Sequence, residues 1–166
     1  MNYRHAYHAG NFADVVKHSV LTLILRYMTQ KPQPLRVIDV HGGIGLYDLG
    51  GPEAGKTGEW HDGIARLLAA PRDARVAELL APYLDAVASF NDPGSPLRFY
   101  PGSPLLVRKL LRRGDALIAN ELHPEDFEML RSNLKGSPHT RVMNLDAWVA
   151  LKSLLPPPER RGLVLI

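Results

Sequence analysis

The 166-residue chain contains no cysteine. That absence excludes disulfides, zinc ribbons and thiolate catalysis, and it is compatible with a reducing, cytoplasmic setting. Any metal chemistry would fall to histidines and carboxylates. No apolar run approaches the roughly 20 residues that span a bilayer, and the start Met1-Asn2-Tyr3-Arg4-His5 lacks the charged-then-apolar order of a signal peptide. The expectation is a soluble, cytoplasmic protein with no membrane partner. Repeats and low-complexity tracts are also missing, and 14 Gly plus 14 Pro are too few to point to disorder. Even the excess of positive charge is small, 20 Lys and Arg against 17 Asp and Glu, with a pI of about 9.3. It permits a polyanionic partner without demonstrating one.

What the chain does have is 45% hydrophobic residues, enough for one respectable core, and these are ordered in a pattern. After a His-rich arm, Val16, Val20, Leu23, Ile24 and Tyr27 fall at helical spacing over 12–30, with Asn11 as N-cap and Asp14 in the first turn. Pro32 and Pro34 stop that helix. The run 35–40 then enters a glycine-rich turn, as a buried strand of an α/β protein does. From 49 the character changes. A Gly-rich loop and two helices, about 61–70 and 72–90, read as a helical insertion.

Beyond it, Ser103 is expected to cap a helix whose first residue is Pro104 and which runs to about 113, with Arg108, Lys109, Arg112 and Arg113 sharing its polar face. Strand 115–121, a helix from Pro124 to about 134, strand 141–144, helix 146–154 and strand 162–166 follow. Strand and helix in alternation imply a parallel, doubly wound sheet. The expected division is 1–48 (arm, helix, first strand), 49–98 (helical insertion) and 99–166 (return to the main domain). A chain that stops inside an apolar strand is expected to belong to a longer protein.

The turn Asp39-x-His41-Gly42-Gly43-x-Gly45 would let backbone approach a ligand and aim amide N–H groups at it. A dinucleotide fingerprint would need a small residue where Asp48 stands. Glu121 ends the second strand, where α/β nucleotide folds place a carboxylate to hold ribose hydroxyls, and Asp146 follows the third. Three successive strand ends would thus converge on one crevice. The stretch from Gly50 to Thr57 satisfies the P-loop pattern by letter, but no strand leads into it, Pro52 removes an N–H from the cradle, and Gly58 follows Thr57. A flexible loop is the better reading. His5, His8, His18 and Asp14 lack the spacing of a metal site, although His18 lies one helical turn after Asp14, where the carboxylate would orient its ring. The basic cluster of 108–113 could touch RNA phosphates, but it also fits an ordinary solvated helix face.

Taken together, Tyr3-Arg4-His5-x-x-His8-Ala9-Gly10-Asn11-x-Ala13-Asp14-Val15-x-Lys17-His18, the glycine turn, Tyr100-Pro101-Gly102-Ser103-Pro104 and Glu121-Leu122-His123-Pro124 resemble the RlmJ family of ribosomal RNA large-subunit adenine-N6 methyltransferases. The likeness runs through essentially the whole chain. It implies a Rossmann-like, S-adenosylmethionine-dependent methyltransferase fold with an incomplete parallel sheet and a small helical insertion. It also implies that Lys17, His18, His41, Ser103, Glu121, Asp146 and Ala147 line the S-adenosylmethionine pocket, with Ala147 standing where the family has glycine. Tyr3 would contact the RNA substrate, large-subunit ribosomal RNA. The implied protein is a monomer without a metal.

By the same resemblance, an Asp-Pro-Pro-Tyr motif should begin directly after Ile166. Its Asp is the expected catalytic carboxylate, which leaves none in this chain and little or no methyl transfer from it alone. The alternative is a noncatalytic RNA-binding protein on a methyltransferase-like scaffold.

Overall fold

The computed structural model describes residues 4–137 and 139–166. Tyr3 lies outside them. Helix α1 (Phe12–Met28) begins where the Asn11 side chain accepts a hydrogen bond from the Asp14 amide at 3.0 Å. Its buried face is not the expected one. Asp14, His18, Leu21, Thr22 and Leu25 are buried, whereas Val16, Val20 and Tyr27 are 60%, 50% and 67% exposed. The helix carries two apolar stripes, and the buried one includes polar groups that find partners inside, so burying them costs little.

Strands β1 (Arg36–Asp39), β4 (Ala116–Asn120), β5 (Thr140–Met143) and β6 (Gly162–Leu165) form one sheet in the order β5-β4-β1-β6. Every pairing is parallel, with Arg36 opposite both Ala116 and Gly162, so all four strands point their carboxyl ends to the same edge. Leu21, Leu25, Leu105, Val107 and Leu130 from α1, α5 (Ser103–Leu110) and α6 (Pro124–Asn133) bury one face together with Val37 and Leu117. Ile38, Ile118 and Val40 on the other face meet Leu151 of α7 (Ala147–Leu154). This is the expected α/β architecture with helices on both faces of a parallel sheet. Among the described residues, no helix is long and apolar enough to cross a membrane.

Two short strands, β2 (Leu46–Asp48) and β3 (Phe99–Pro101), were not anticipated; they pair antiparallel, Tyr47 opposite Tyr100, and clip the start and end of the intervening helical segment together. That segment holds α2 (Pro52–Thr57), α3 (Ile64–Ala69) and α4 (Ala74–Ala88). Its Tyr83, Ala86 and Val87 share a buried cluster with Ala9, Ile44, Tyr100 and Leu106.

Three local expectations are corrected. The P-loop-like stretch is not a loop, because Pro52 opens helix α2 and Gly58, at φ 64°, closes it. Lys56 and Thr57 therefore sit in the last turn, whose free groups are carbonyls, the wrong polarity for phosphate. Ser103 does not cap α5. Gly102 holds that position without a side-chain cap, its amide donating to Gly45 O at 2.8 Å, and Ser103 is the first helical residue. Finally, α5 stops at Leu110, so Arg112 shares no helix face with Arg108. The Arg112 guanidinium instead pairs with Asp115 at 2.9 Å and donates to Thr29 O and Lys31 O, fastening the turn after α1 to the base of the sheet.

Candidate functional site

At the carboxyl edge of the sheet, Asn120 ties three strand ends together. Fully buried, its amide donates to Val40 O at 3.1 Å and Leu145 O at 2.8 Å, and its oxygen accepts from Leu145 N at 3.0 Å. Sequence reading passed over this residue, whose only signal was an amide closing an apolar strand. The glycine turn lies against it. Gly42 N donates to Asn120 O at 2.8 Å, and Gly43 N donates to Glu121 Oε2 at 2.9 Å. A side chain at Gly43 is excluded twice over, by its φ of 58° and because a Cβ would sit 2.1 Å from the Tyr47 hydroxyl.

Glu121 is the pivot. Its other oxygen, Oε1, accepts from His123 N at 2.9 Å, so the carboxylate is aimed by two backbone amides, with lone pairs remaining on both oxygens for a ligand's hydroxyl groups. Behind the turn, Asp39 is buried. Burial pushes its carboxyl up, while the neighbouring Ser103 hydroxyl and the His41 amide favour the ionised form; Oδ1 accepts from His41 N, and among the described residues Oδ2 has no hydrogen-bond partner.

The other wall comes from the arm and α1. Asp14 is its centre: Oδ2 accepts from Gly10 N at 2.9 Å and pairs with His5 Nε2 at 2.8 Å, while Lys17 Nζ stands 3.2 Å from Oδ1. Burial opposes ionisation of Asp14. The His5 hydrogen bond and the basic groups His18, His5 and Lys17 around it outweigh it and hold the carboxyl well below its usual range. His18 is enclosed completely, and burial lowers its imidazole to about 3 against the pull of Asp14, so the ring is neutral at physiological pH.

These walls enclose a cavity of about 450 Å³, lined among others by Lys17, His18, His41, Ser103 and Glu121. A smaller hollow of about 170 Å³ adjoins it, lined by Val40, Leu122, Asp146, Ala147, Trp148 and Leu151. His41 and Ile166 wall both. Of the seven residues expected around a cofactor, five thus surround the larger space, and Asp146 and Ala147 face the smaller with His41 between. Asp146 spends Oδ1 on capping α7, accepting from the amides of Trp148 and Val149. Ala147 is the first residue of that helix, and among the described residues no residue other than glycine has positive φ, so no left-handed backbone demands glycine there. Trp148, exposed beside the smaller hollow, carries no motif in the sequence that would single it out.

The histidines of the arm do not gather on a metal. His8 turns to Glu59 Oε1 at 2.8 Å, and among the described residues no group of three or more His, Asp or Glu is placed to hold one. The basic residues Arg108, Arg112 and Arg113 sit with His139 at the opposite edge of the sheet, by the amino ends of β4 and β5, away from both hollows.

Over its full length the chain is 47% identical to “Ribosomal RNA large subunit methyltransferase J” of Escherichia coli (strain K12) and 42% identical to the protein of that name from Haemophilus influenzae. It spans 58% of the length of each. Among solved structures, the crystal structure of protein LPL1258 from Legionella pneumophila superposes with a TM-score of 0.78 at 38% identity, covering 94% of this chain and 56% of that one. Residues 32–166 match the family described as “RsmJ: Ribosomal RNA large subunit methyltransferase D, RlmJ”. By that match, and by a sheet whose strand ends gather around the two hollows, the chain belongs to the RlmJ family of ribosomal RNA large-subunit methyltransferases.

Proposed function

We propose that this chain forms the cofactor-binding part of an S-adenosylmethionine-dependent methyltransferase acting on an adenine N6 amino group of large-subunit ribosomal RNA. The observation that carries the reading is the pairing of the Gly43 amide with the Glu121 carboxylate at the mouth of the larger cavity, directly beyond the strand ends where open α/β sheets hold their ligands. The residues present suit the cofactor. Glu121 keeps lone pairs for the ribose hydroxyls, and the close approach at Gly43 leaves backbone where a side chain would stand. The Lys17/His18 face of α1 lines the cavity and would approach the methionine end, with the Lys17 ammonium as its polar partner. The apolar hollow around Leu122, Trp148 and Leu151, with Asp146 at its rim, would take the adenine.

When bound, S-adenosylmethionine supplies a methyl group activated by a sulfonium. The chain's own part is to orient and to exclude water: Glu121 and Asp146 fix the two ends of the nucleoside, and the α1 wall holds the amino-acid end. An adenine amino group is a weak nucleophile because its lone pair is delocalised into the ring. A carboxylate and a carbonyl that accept its hydrogens free that pair for in-line attack. By the family resemblance these acceptors belong to an Asp-Pro-Pro-Tyr segment after Ile166, and Ile166 lies on the wall shared by both hollows.

Calorimetric titration of the full-length protein with S-adenosylhomocysteine should show binding. Glu121→Ala should weaken it roughly ten- to a hundredfold, the range of one or two charge-assisted hydrogen bonds. Unaltered affinity would overturn the ribose assignment. RNA binding that falls steeply with salt yet ignores S-adenosylhomocysteine would favour a noncatalytic RNA-binding scaffold.

A further inference from the structure

A line of buried polar atoms runs from the larger cavity into the helical segment. His18 Nδ1 lies 2.7 Å from the Tyr100 hydroxyl, which lies 2.9 Å from the Tyr83 hydroxyl. All three side chains are fully buried. Tyr100 comes from β3 and Tyr83 from α4, so the line joins the cavity wall on α1 to a helix that itself lines neither hollow. Among the described residues the other ring nitrogen, Nε2, has no hydrogen-bond partner, and Asp14 Oδ1 is 3.9 Å away, beyond hydrogen-bonding reach.

A neutral imidazole carries one proton, and two directions of the line are possible. In one, Tyr83 donates to Tyr100, Tyr100 donates to Nδ1, and the proton sits on Nε2. Every buried hydroxyl hydrogen then has an acceptor, and Nε2–H faces the Asp14 carboxylate with favourable polarity. In the reverse direction the Nε2 lone pair would face that ionised carboxylate. The Tyr83 hydrogen would also be left without an acceptor, since Tyr100 is its sole hydrogen-bond partner among the described residues. Buried unsatisfied donors are rare because they forfeit their hydration, so the first direction prevails.

We propose that Tyr83 is a positioning residue: acting through Tyr100, it holds His18 as the Nε2–H tautomer, whose N–H is aimed at Asp14 and so keeps that carboxylate, and the Lys17 ammonium paired with it, in place on the cavity wall. A ring of the opposite tautomer would turn a lone pair on the Asp14 carboxylate and push it out of register with Lys17. The helical segment, which lines neither hollow, thereby sets the geometry of a ligand-binding wall. The inference rests on the reading of this cavity as the S-adenosylmethionine site.

The test separates the two. In the unliganded protein, long-range nitrogen–proton correlation spectra of His18 should show Nδ1 as the unprotonated nitrogen and Nε2 as the protonated one. Tyr83→Phe keeps the ring and removes the hydroxyl. It should mix the two tautomers and weaken S-adenosylhomocysteine binding roughly three- to tenfold, with a larger loss in Tyr100→Phe. A wild-type spectrum with the proton on Nδ1 overturns the proposal without any variant having to fold, and so does a Tyr83→Phe protein with unchanged tautomer and affinity. Wild-type protein that shows the Nε2–H signature but does not bind S-adenosylhomocysteine would overturn the cofactor reading and leave the relay standing.

Discussion

At the scale of single residues, two glycines make opposite predictions. Gly63 precedes α3 where the chain passes against the N-terminal arm. Ile64 N donates to Gly10 O at 2.9 Å, and a Cβ on Gly63 would fall 2.0 Å from Gly10 O and 2.5 Å from the Asn11 carbonyl carbon. Every obstacle is backbone, so none can swing aside, and Gly63→Ala should cost about 1–3 kcal/mol or more in urea unfolding. Gly55, inside α2, has nothing within 4 Å of its Cβ position; Gly55→Ala should be neutral or add roughly 0.5–1 kcal/mol. An equal response at both sites would contradict the arm packing described above. Both glycines look alike in sequence. So do Asn120, Tyr83 and Tyr100, ordinary residues until partners distant along the chain give them roles, as with the 82-residue separation of His18 and Tyr100.

Whole elements were legible where their periodicity is long and misread where it is short or ambiguous. Helix α1 illustrates both, since its extent and its Asn11 cap follow from spacing, yet its buried face does not. Hydrophobic periodicity favours Val16, Val20 and Ile24 because the competing stripe contains Asp14, His18 and Thr22. The core takes that stripe because Gly10, His5 and Tyr100 satisfy its one carboxylate and its ring. Leu25→Ala should therefore cost about 2–5 kcal/mol in denaturant melts of this chain, and Val20→Ala no more than about 0.5 kcal/mol. The reverse ranking would show that the faces are exchanged. Strands β2 and β3 were missed for a different reason: at three residues each they carry no pattern, and they exist because they pair with each other across the long helical segment between them.

For the molecule as a whole, burying a neutral histidine couples global stability to pH. Between the ordinary imidazole value of 6.5 and the lowered value of about 3, the unfolded chain binds a proton at His18 that the folded chain does not. Stability from this group is therefore complete above pH 6.5 and declines as pH falls, by on the order of 1 kcal/mol per unit. Asp14 acts with the same sign at lower pH, because its carboxyl is held below its ordinary value of 3.8 and the unfolded chain again takes up the extra proton. Unfolding free energies measured from pH 7 to pH 4 should slope downward, and His18→Phe should flatten the slope by about one proton. An unchanged slope would mean that His18 is not buried as described.

The order of apolar runs, glycine turns and strand-end acids was enough by itself to imply the parallel α/β architecture, and the motifs from Tyr3 to His18, at the glycine turn, around Ser103 and at Glu121 carried the family resemblance. Each of those signals is local, a matter of what neighbours along the chain can do with their own backbone and side chains. The composition of the cavity wall was decided by tertiary structure. Whether a polar side chain such as Asp14, His18 or Asn120 is buried depends on partners brought from other elements to satisfy it, and Tyr83 matters to the site only because β2 and β3 close the helical segment back onto α1.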